Sequence, residues 1–426
     1  MTVETRPAPK LHRAWLIAGA AFVALLASAG FRAAPGVLID PLHQEFGWSR
    51  TTISSAVSVN LVLFGLFAPF AAALMERFGI RRVSATALTV IALGAGGTVF
   101  MTASWQLVLC WGVLVGLGTG SMAMGFATMI ATRWFVRSRG VVTGVLTAAG
   151  ATGQLIFLPL IANLAVDSGW RTASLVIAIA ALAVVPVVLL VIRDHPADIG
   201  TTAYGAPADA EVSRPAPATG SVRRALSVLG QAARTRTFWL LAVGFAICGA
   251  TTNGLVGTHF VPAAHDHGMP QTTAASLLAL VGVFDVVGTI FSGWLTDRVD
   301  PRILLGVYYA LRGLSLALLP QLFGDSVQPS MWAFILFYGL DWVATVPPTV
   351  ALCVRAFGDA GPIVFGWVFA CHQLGAAFAA SAAGLVRDQL GNYTLAWYSA
   401  AVLAVLASVA SLAITRAKKP VAVLAT

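Results

Sequence analysis

The sequence predicts an all-α membrane protein: twelve transmembrane helices in two six-helix bundles related by a pseudo-two-fold axis. Three observations carry that prediction, namely the length of the apolar runs, an internal repeat and the placement of the charges. The chain is 58% hydrophobic and 10% charged, too apolar for a soluble protein of its size. A bilayer core about 30 Å thick needs roughly 20 apolar residues per helical crossing. Twelve such runs are present, at 14–37, 50–75, 83–103, 105–132, 140–163, 170–192, 238–261, 273–296, 303–320, 331–354, 361–386 and 393–415. Several exceed what a straight crossing needs, so tilt or kinks are expected. The alternating pattern of a membrane barrel is absent.

The repeat relates the two halves. Gly36, Pro41, Gly47, Thr51, Thr52, Glu76 and Arg77 recur 221 residues later as Gly257, Pro262, Gly268, Thr272, Thr273, Asp297 and Arg298. Arg133, Gly144 and Gly153 recur 222 residues later as Arg355, Gly366 and Gly375. A duplicated bundle in a membrane chain is the layout of a carrier with its site between the halves. It divides the chain into bundles at 1–192 and 238–426 joined by a linker at 193–237. Ala27-Ser28-Ala29 looks like a signal-peptidase site, but run 1 has a full counterpart in run 7, so no cleavage is expected.

The net charge of +9 would suggest nucleic acid in a soluble chain. Here 21 of the 26 basic residues fall on one side if the N-terminus is inside, against Arg50, Arg171 and Arg387 outside. The positive-inside rule then places both ends in the cytoplasm, and no nucleic-acid partner is expected. With 23 Arg against 3 Lys, the chain points to a GC-rich bacterial source and hence the inner membrane. Cys110, Cys248, Cys353 and Cys371 fall inside runs and form no CxxC, as buried inert thiols do.

The linker is rich in Pro, Ala and Gly and is expected to be flexible in its middle. Residues 222–237 suit either a short surface helix with Arg223, Arg224, Arg234 and Arg236 near head groups, or a solvated segment. Gly112, Gly116, Gly118 and Gly120 in run 4, and Gly140, Gly144, Gly150 and Gly153 in run 5, allow close helix contact. The short loops 76–82 and 297–302 each open on an acid followed by Arg. Such an acid can cap the next helix or pair across the bundle, so Glu76, Arg77, Arg81, Arg82, Asp297 and Arg298 form a candidate conformational latch. The plain alternative is a topology signal alone.

These loops resemble the signature of the major facilitator superfamily, Gly-x-x-x-Asp-Arg-x-Gly-x-Arg-Arg between helices 2 and 3. The chain has Ala72, Glu76, Arg77, Gly79, Arg81 and Arg82 there, and Gly293, Asp297, Arg298 and Arg302 in its second copy. Within that superfamily it looks like the monocarboxylate and oxalate/formate transporter group. The stretches that carry this are Phe46-Gly47-Trp48-Ser49-Arg50, Arg133-Trp134-Phe135 and Arg193-Asp194-His195-Pro196-Ala197-Asp198-Ile199-Gly200. The drug-exporter branches match less well: run 4 has no Arg between Trp105 and Thr132, and Gly150-Ala151-Thr152-Gly153 lacks their Pro.

An ionised side chain within a crossing costs at least a few kcal/mol, so each one asks for a role. Four stand out: Arg32, Asp285, Arg312 and Asp341. Asp285, near the middle of run 8, could take and release a proton as access alternates; otherwise it pairs helices. The resemblance implies an Asp followed four residues on by Arg in this helix. Here Thr289 follows Asp285, so the acid carries over and the cation does not. Arg32 in run 1 could grip a carboxylate with two hydrogen bonds, or snorkel to the interface. Arg312 and Asp341, on adjacent helices, read as a structural ion pair or a secondary site. His372 stands where the resemblance implies a Lys in oxalate/formate carriers, which argues against a dianionic cargo. His259 and Asn253 make run 7 polar enough for a wet cavity wall, with hydrogen-bonded packing as the alternative.

The expected function is transport of a small organic anion, a monocarboxylate, coupled to a proton by alternating access. Arg32, Asn253, His259 and His372 are the candidate substrate residues and Asp285 the proton carrier. The alternative is a proton-coupled transporter of a larger hydrophobic or drug-like compound. No phosphate loop, metal cluster or catalytic triad spacing appears, so neither a cofactor nor an enzymatic activity is expected. The expected partners are substrate, proton and lipid, with the protein acting as a monomer.

Overall fold

The computed structural model describes residues 12–122, 124–207 and 221–415. Ten helical stretches are long and apolar enough to cross a membrane; one of them, Pro329–Leu390, holds two crossings, and Ile80–Thr98 completes a set of twelve. In chain order these are α1 (Arg13–Phe46), α2 (Arg50–Phe78), α3 (Ile80–Thr98), α4 (Ser104–Trp134), α5 (Arg139–Ser168) and α6 (Trp170–Val191) in the first bundle. The second bundle holds α7 (Arg236–Asp266), α8 (Gln271–Thr296), α9 (Pro301–Leu318), α10 (Pro329–Asp341 and Val346–Phe357), α11 (Gly361–Leu390) and α12 (Thr394–Leu412). Extended pairing among the described residues is limited to one bridge, Phe135 with Tyr204.

The sequence sets the helix ends by ordinary capping. Ser49 accepts a hydrogen bond from the Thr52 N–H (3.1 Å) and opens α2; Asp300 accepts from the Arg302 N–H (3.1 Å) ahead of Pro301 and opens α9. The repeated pair Gly47 and Gly268 ends α1 and α7 at φ +68° and +88°, a conformation that costs a glycine nothing. Both helices run past the expected limits of 37 and 261, because Pro41 and Pro262 lie within the helices without ending them.

Helices 1, 4, 7 and 10 depart from regular α geometry, and the other eight run through. Helix 1 breaks at Ala34. Helices 4 and 7 carry π turns at Val108–Val115 and Ala250–Val256. Helix 10 is unwound between Asp341 and Val346. These are the first and fourth helices of each bundle. Interrupted helices at corresponding places in two repeats mark where a carrier builds its site, because irregular backbone at that depth must be satisfied by protein.

The bundles meet along two seams, α2 with α11 and α5 with α8, and where the far halves of α1 and α7 cross. At that crossing a Cβ on Gly36 would lie 3.0 Å from the Thr258 carbonyl oxygen and 3.3 Å from that of Gly257, so two glycines related by the repeat make the contact. The α2–α11 seam runs from Arg50 and Asp388 at one face, through Ser58 and Ser381 (2.7 Å), to Phe70 and Trp367 (5.8 Å) toward the other. The bundles are therefore closed on the face opposite the chain ends.

The two ends of the segment after α6 make tertiary contacts, whereas the middle for which flexibility is expected, residues 208–220, lies outside the described residues. Tyr204 exchanges main-chain hydrogen bonds with Trp134 (2.8 Å) and Val136 (2.9 Å), and its ring packs on His12, Trp15 and Phe135. Farther on, Ser221–Ala232 is helical and buries Ala225, Val228 and Ala232, leaving Arg223 and Arg224 exposed. Trp367 of α11 donates to the Ala225 carbonyl (3.0 Å).

Candidate substrate and coupling site

A polar cluster lies inside the second bundle, around the interruption of α10. Pro347 and Pro348 create that interruption. Neither has an N–H to give the carbonyls of Val343 and Ala344, four residues back, so the ladder fails there. Val346 N–H takes up the Val343 carbonyl (2.9 Å), and Ser292 of α8 donates to that of Ala344 (2.5 Å). Arg312 of α9 donates through Nη2 to the carbonyls of Asp341 (2.6 Å) and Trp342 (3.3 Å). The Val343 N–H donates to Asp285 Oδ1 (3.0 Å), which also accepts from the Thr289 hydroxyl (3.0 Å). Side chains of α8 and α9 thus take up what the broken ladder leaves open.

Arg312 is almost fully buried, with 1% of its surface exposed. Its Nε donates to Asp341 Oδ2 (2.6 Å). Its Nη1 reaches Cys248 Sγ (2.9 Å) and Thr251 Oγ1 (3.4 Å) on α7, and Tyr309 lies under the guanidinium at 5.6 Å. Asp341 Oδ1 is buried without a hydrogen-bond partner among the described residues. Thr289, which stands where the resemblance implies an Arg, satisfies Asp285 with a neutral donor.

The other candidates lie apart from this cluster. His259 is fully buried toward the closed face; its Nε2 donates to the Ala380 carbonyl (2.8 Å) and its Nδ1 faces the Tyr393 hydroxyl (3.3 Å). Because a carbonyl only accepts, Nε2 carries the proton and both ring nitrogens are engaged. His372 packs between Phe245 (4.8 Å) and Phe369 (5.8 Å) on the α7–α11 contact. Asn253 lies half-buried in the π turn of α7, its carbonyl accepting from Thr258 (2.9 Å). Arg32 belongs to the last turn of the first segment of α1, and its side chain lies outside the described residues.

On the chain-end face, Arg77, Arg82, Asp297 and Arg298 are exposed, and Glu76 and Arg81 are half-buried. Arg298 lies on its own Trp294 at 4.2 Å. The carboxylate at the start of α3 is that of Asp194: Oδ1 accepts the Arg81 N–H (2.9 Å), and Arg133 Nη1 donates to its main-chain oxygen (3.3 Å). Removing a cap of this kind costs about 1 kcal/mol. Asp194→Ala is expected to lower the unfolding temperature in detergent by about 1 °C; no change in a thermal melt would remove the capping argument.

The closed face holds a network that sequence reasoning passed over as charges near helix ends. Arg50 Nη2 contacts Asp40 Oδ1 (2.8 Å) and lies 3.6 Å from Asp266 Oδ1. Arg387 Nε donates to Asp266 Oδ2 (2.6 Å). Asp388 accepts from the N–H groups of Arg50 (3.1 Å) and Thr51 (2.8 Å). These bonds join α1 and α2 to α7 and α11, across the two bundles. A signal was available: Arg50 and Gln271 are 221 residues apart, and both reach α1, Gln271 through the Val37 carbonyl.

The sequence profile described as the Major Facilitator Superfamily matches residues 20–361 and 252–425. The chain belongs to that superfamily. It is a multi-pass membrane transporter with the superfamily's twelve-helix, two-bundle fold, and not an enzyme. Among curated superfamily relatives, an uncharacterized transporter, YcxA of Bacillus subtilis, is 26% identical over 92% of both chains. Human monocarboxylate transporter 11 is 27% identical over 92% of this chain and 81% of its own. A gallate transporter of Pseudomonas putida is 24% identical over 75% of this chain and 73% of its own. Among solved structures, a bacterial homologue of the lysosomal transporter Spinster superposes with a TM-score of 0.74 at 15% identity, covering 96% of this chain and 98% of its own. A D-xylose–proton symporter gives 0.72 at 17% identity, covering 95% and 98%. Those two likenesses show the fold.

Proposed function

We propose that this superfamily member carries a small organic anion, a monocarboxylate, together with a proton, by alternating access in a bacterial inner membrane. In this reading bundles 1–192 and 238–426 of a single monomer rock about the site, joined by the linker 193–237, with both chain ends cytoplasmic. The observation that carries it is Asp285: a carboxyl at mid-membrane depth, bonded by two neutral donors and seated on the break of α10. Such a group can exchange a proton as access alternates. The relatives named for monocarboxylates and for gallate, itself a monocarboxylate, support the cargo class. Arg32 is the carboxylate anchor, Asn253 and His372 line the route, and His259 shapes its far wall. Glu76, Arg77, Arg81, Arg82, Asp297 and Arg298 bias the chain-end face.

The test is uptake into proteoliposomes of lactate, benzoate and gallate under an imposed pH gradient, beside counterflow without one. Wild type is expected to accumulate at least one of them with the gradient. Asp285→Asn keeps an oxygen for the Val343 N–H but holds no exchangeable proton. It is expected to lose accumulation and retain counterflow. Full accumulation by Asp285→Asn would sink the proton role. Binding by hydrophobic cations alone, unchanged in Arg32→Ala, would replace the anion with a drug-like cargo.

A further inference from the structure

We infer that Arg312 is a positioning residue for the proton site, acting through the main chain of α10 rather than as one half of an ion pair. The inference rests on the reading of Asp285 as the proton carrier. An arginine built to pair with a carboxylate engages both of its oxygens with a two-pronged fork. Arg312 instead gives one nitrogen to Asp341 Oδ2 and leaves Oδ1 buried without a partner among the described residues. Its Nη2 spans the carbonyls of Asp341 and Trp342, the two residues that immediately precede Val343. The Trp342 carbonyl and the Val343 N–H belong to one planar peptide unit, so holding that carbonyl fixes the direction of the N–H that Asp285 accepts. Cys248 and Thr251 hold the guanidinium from behind, on α7. Asp341 neutralises a charge that would otherwise be buried alone.

The groups around Asp285 make the consequence readable as a pH profile. The charged groups that act on Asp285 are Arg312 of α9 and Asp341 of α10; Tyr309 of α9, Tyr338 of α10 and Cys248 of α7 face that pair in turn. Helix 5, across the seam, brings no titratable side chain between Arg139 and Asp167. A hydrogen bond donated to a carboxylate favours its charged form. Loosening the Val343 N–H therefore lets Asp285 keep its proton to higher pH. Losing one bond to a charged group corresponds to about one pH unit.

The experiment compares the pH profile of uptake, with counterflow as a control, for wild type, Arg312→Lys, Asp341→Asn and Asp285→Asn. Lysine keeps the charge but cannot span two carbonyls while holding Asp341. Arg312→Lys is expected to move the midpoint up by about one pH unit, with counterflow retained. Asp341→Asn still offers an oxygen to Nε but removes a negative charge that acts on Asp285, so it is expected to move the midpoint the other way, down. Equal shifts in the two variants, or none in Arg312→Lys, would overturn the inference in favour of a plain ion pair. A wild-type profile in Asp285→Asn would instead remove the underlying reading of Asp285. If Arg312→Lys does not fold, Ser292→Ala frees the neighbouring Ala344 carbonyl and carries the test. A smaller shift in the same direction supports the inference; an unmoved midpoint overturns it.

Discussion

Gly249→Ala is expected to abolish accumulation of folded protein, while Gly366→Ala leaves it unchanged. A Cβ on Gly249 would lie 1.8 Å from the main-chain oxygen of His372, and one on Gly375 would lie 2.0 Å from that of Ala246. Gly254 meets Ala376 the same way at 2.4 Å. Helices 7 and 11 thus pack backbone against backbone at three points, which only small residues permit. An ordinary overpacked side chain costs about 1–3 kcal/mol because neighbours rotate away. A carbonyl oxygen inside a helix cannot rotate, so relief requires the two helices to separate. That separation would displace Asn253 and His372 together. Gly366, on the same face-to-face pair of helices, has nothing within 4 Å of its added Cβ, so it controls for the generic effect of alanine. Fluorescence-detected size exclusion of the tagged variants decides the matter, and a monodisperse wild-type-like peak for Gly249→Ala would refute the packing account.

The same glycines show what could be read from the sequence and what could not. The repeat marks Gly153 with Gly375 and Gly144 with Gly366, and nothing in the sequence separates the two pairs. In the fold, Gly153 presses Ala29 of α1 (2.6 Å) as Gly375 presses α7, whereas Gly144 and Gly366 both face open space. Periodicity and charge asymmetry expose the crossings because each crossing is a local property of some twenty residues. The interruption of α10 was legible too: Pro347-Pro348 lies within the run 331–354, and an apolar run alone conceals it. The partners of the break were not legible, since Ser292, Arg312 and Asp285 converge on it from two other helices. The Arg312–Asp341 pair is present at 2.6 Å, but sequence pairs side chains with side chains and does not show that Arg312 also serves two main-chain carbonyls. Asp194 was missed as the cap of α3 for a similar reason, since it lies 113 residues from the N–H that it accepts.

Arg50→Ala is expected to open the closed face. Arg50 is nearly buried, at 12% exposure of its side chain, between Asp40 of its own bundle (2.8 Å) and Asp266 of the other (3.6 Å). The Asp40 contact lies within the first bundle, whereas the Asp266 contact crosses to α7. Losing the latter falls only on the conformation in which α2 meets α7 and α11, so it shifts the equilibrium toward the conformation in which they are apart. A charge-assisted contact contributes about 1.5 kcal/mol and each 1.4 kcal/mol is tenfold, which makes a shift of about tenfold the natural scale. Ser58, bonded across the α2–α11 seam to the Ala377 carbonyl and to Ser381, is the place to read it. A Ser58→Cys variant in right-side-out vesicles, treated with an impermeant maleimide, should label at least about tenfold faster when Arg50→Ala is added. Subtracting the label taken up without Ser58→Cys removes the native thiols. Arg171→Ala is the control: its pair with Glu45 lies within one bundle, and both side chains are well exposed, at 43% and 38%, so such a bond contributes little. An unchanged rate in Arg50→Ala would mean that the α1–α7 crossing at Gly36 and Gly257 closes this face by packing alone. A faster rate would assign the closure to one charged seam, because Gln271, the counterpart of Arg50, brings only a neutral amide to Val37.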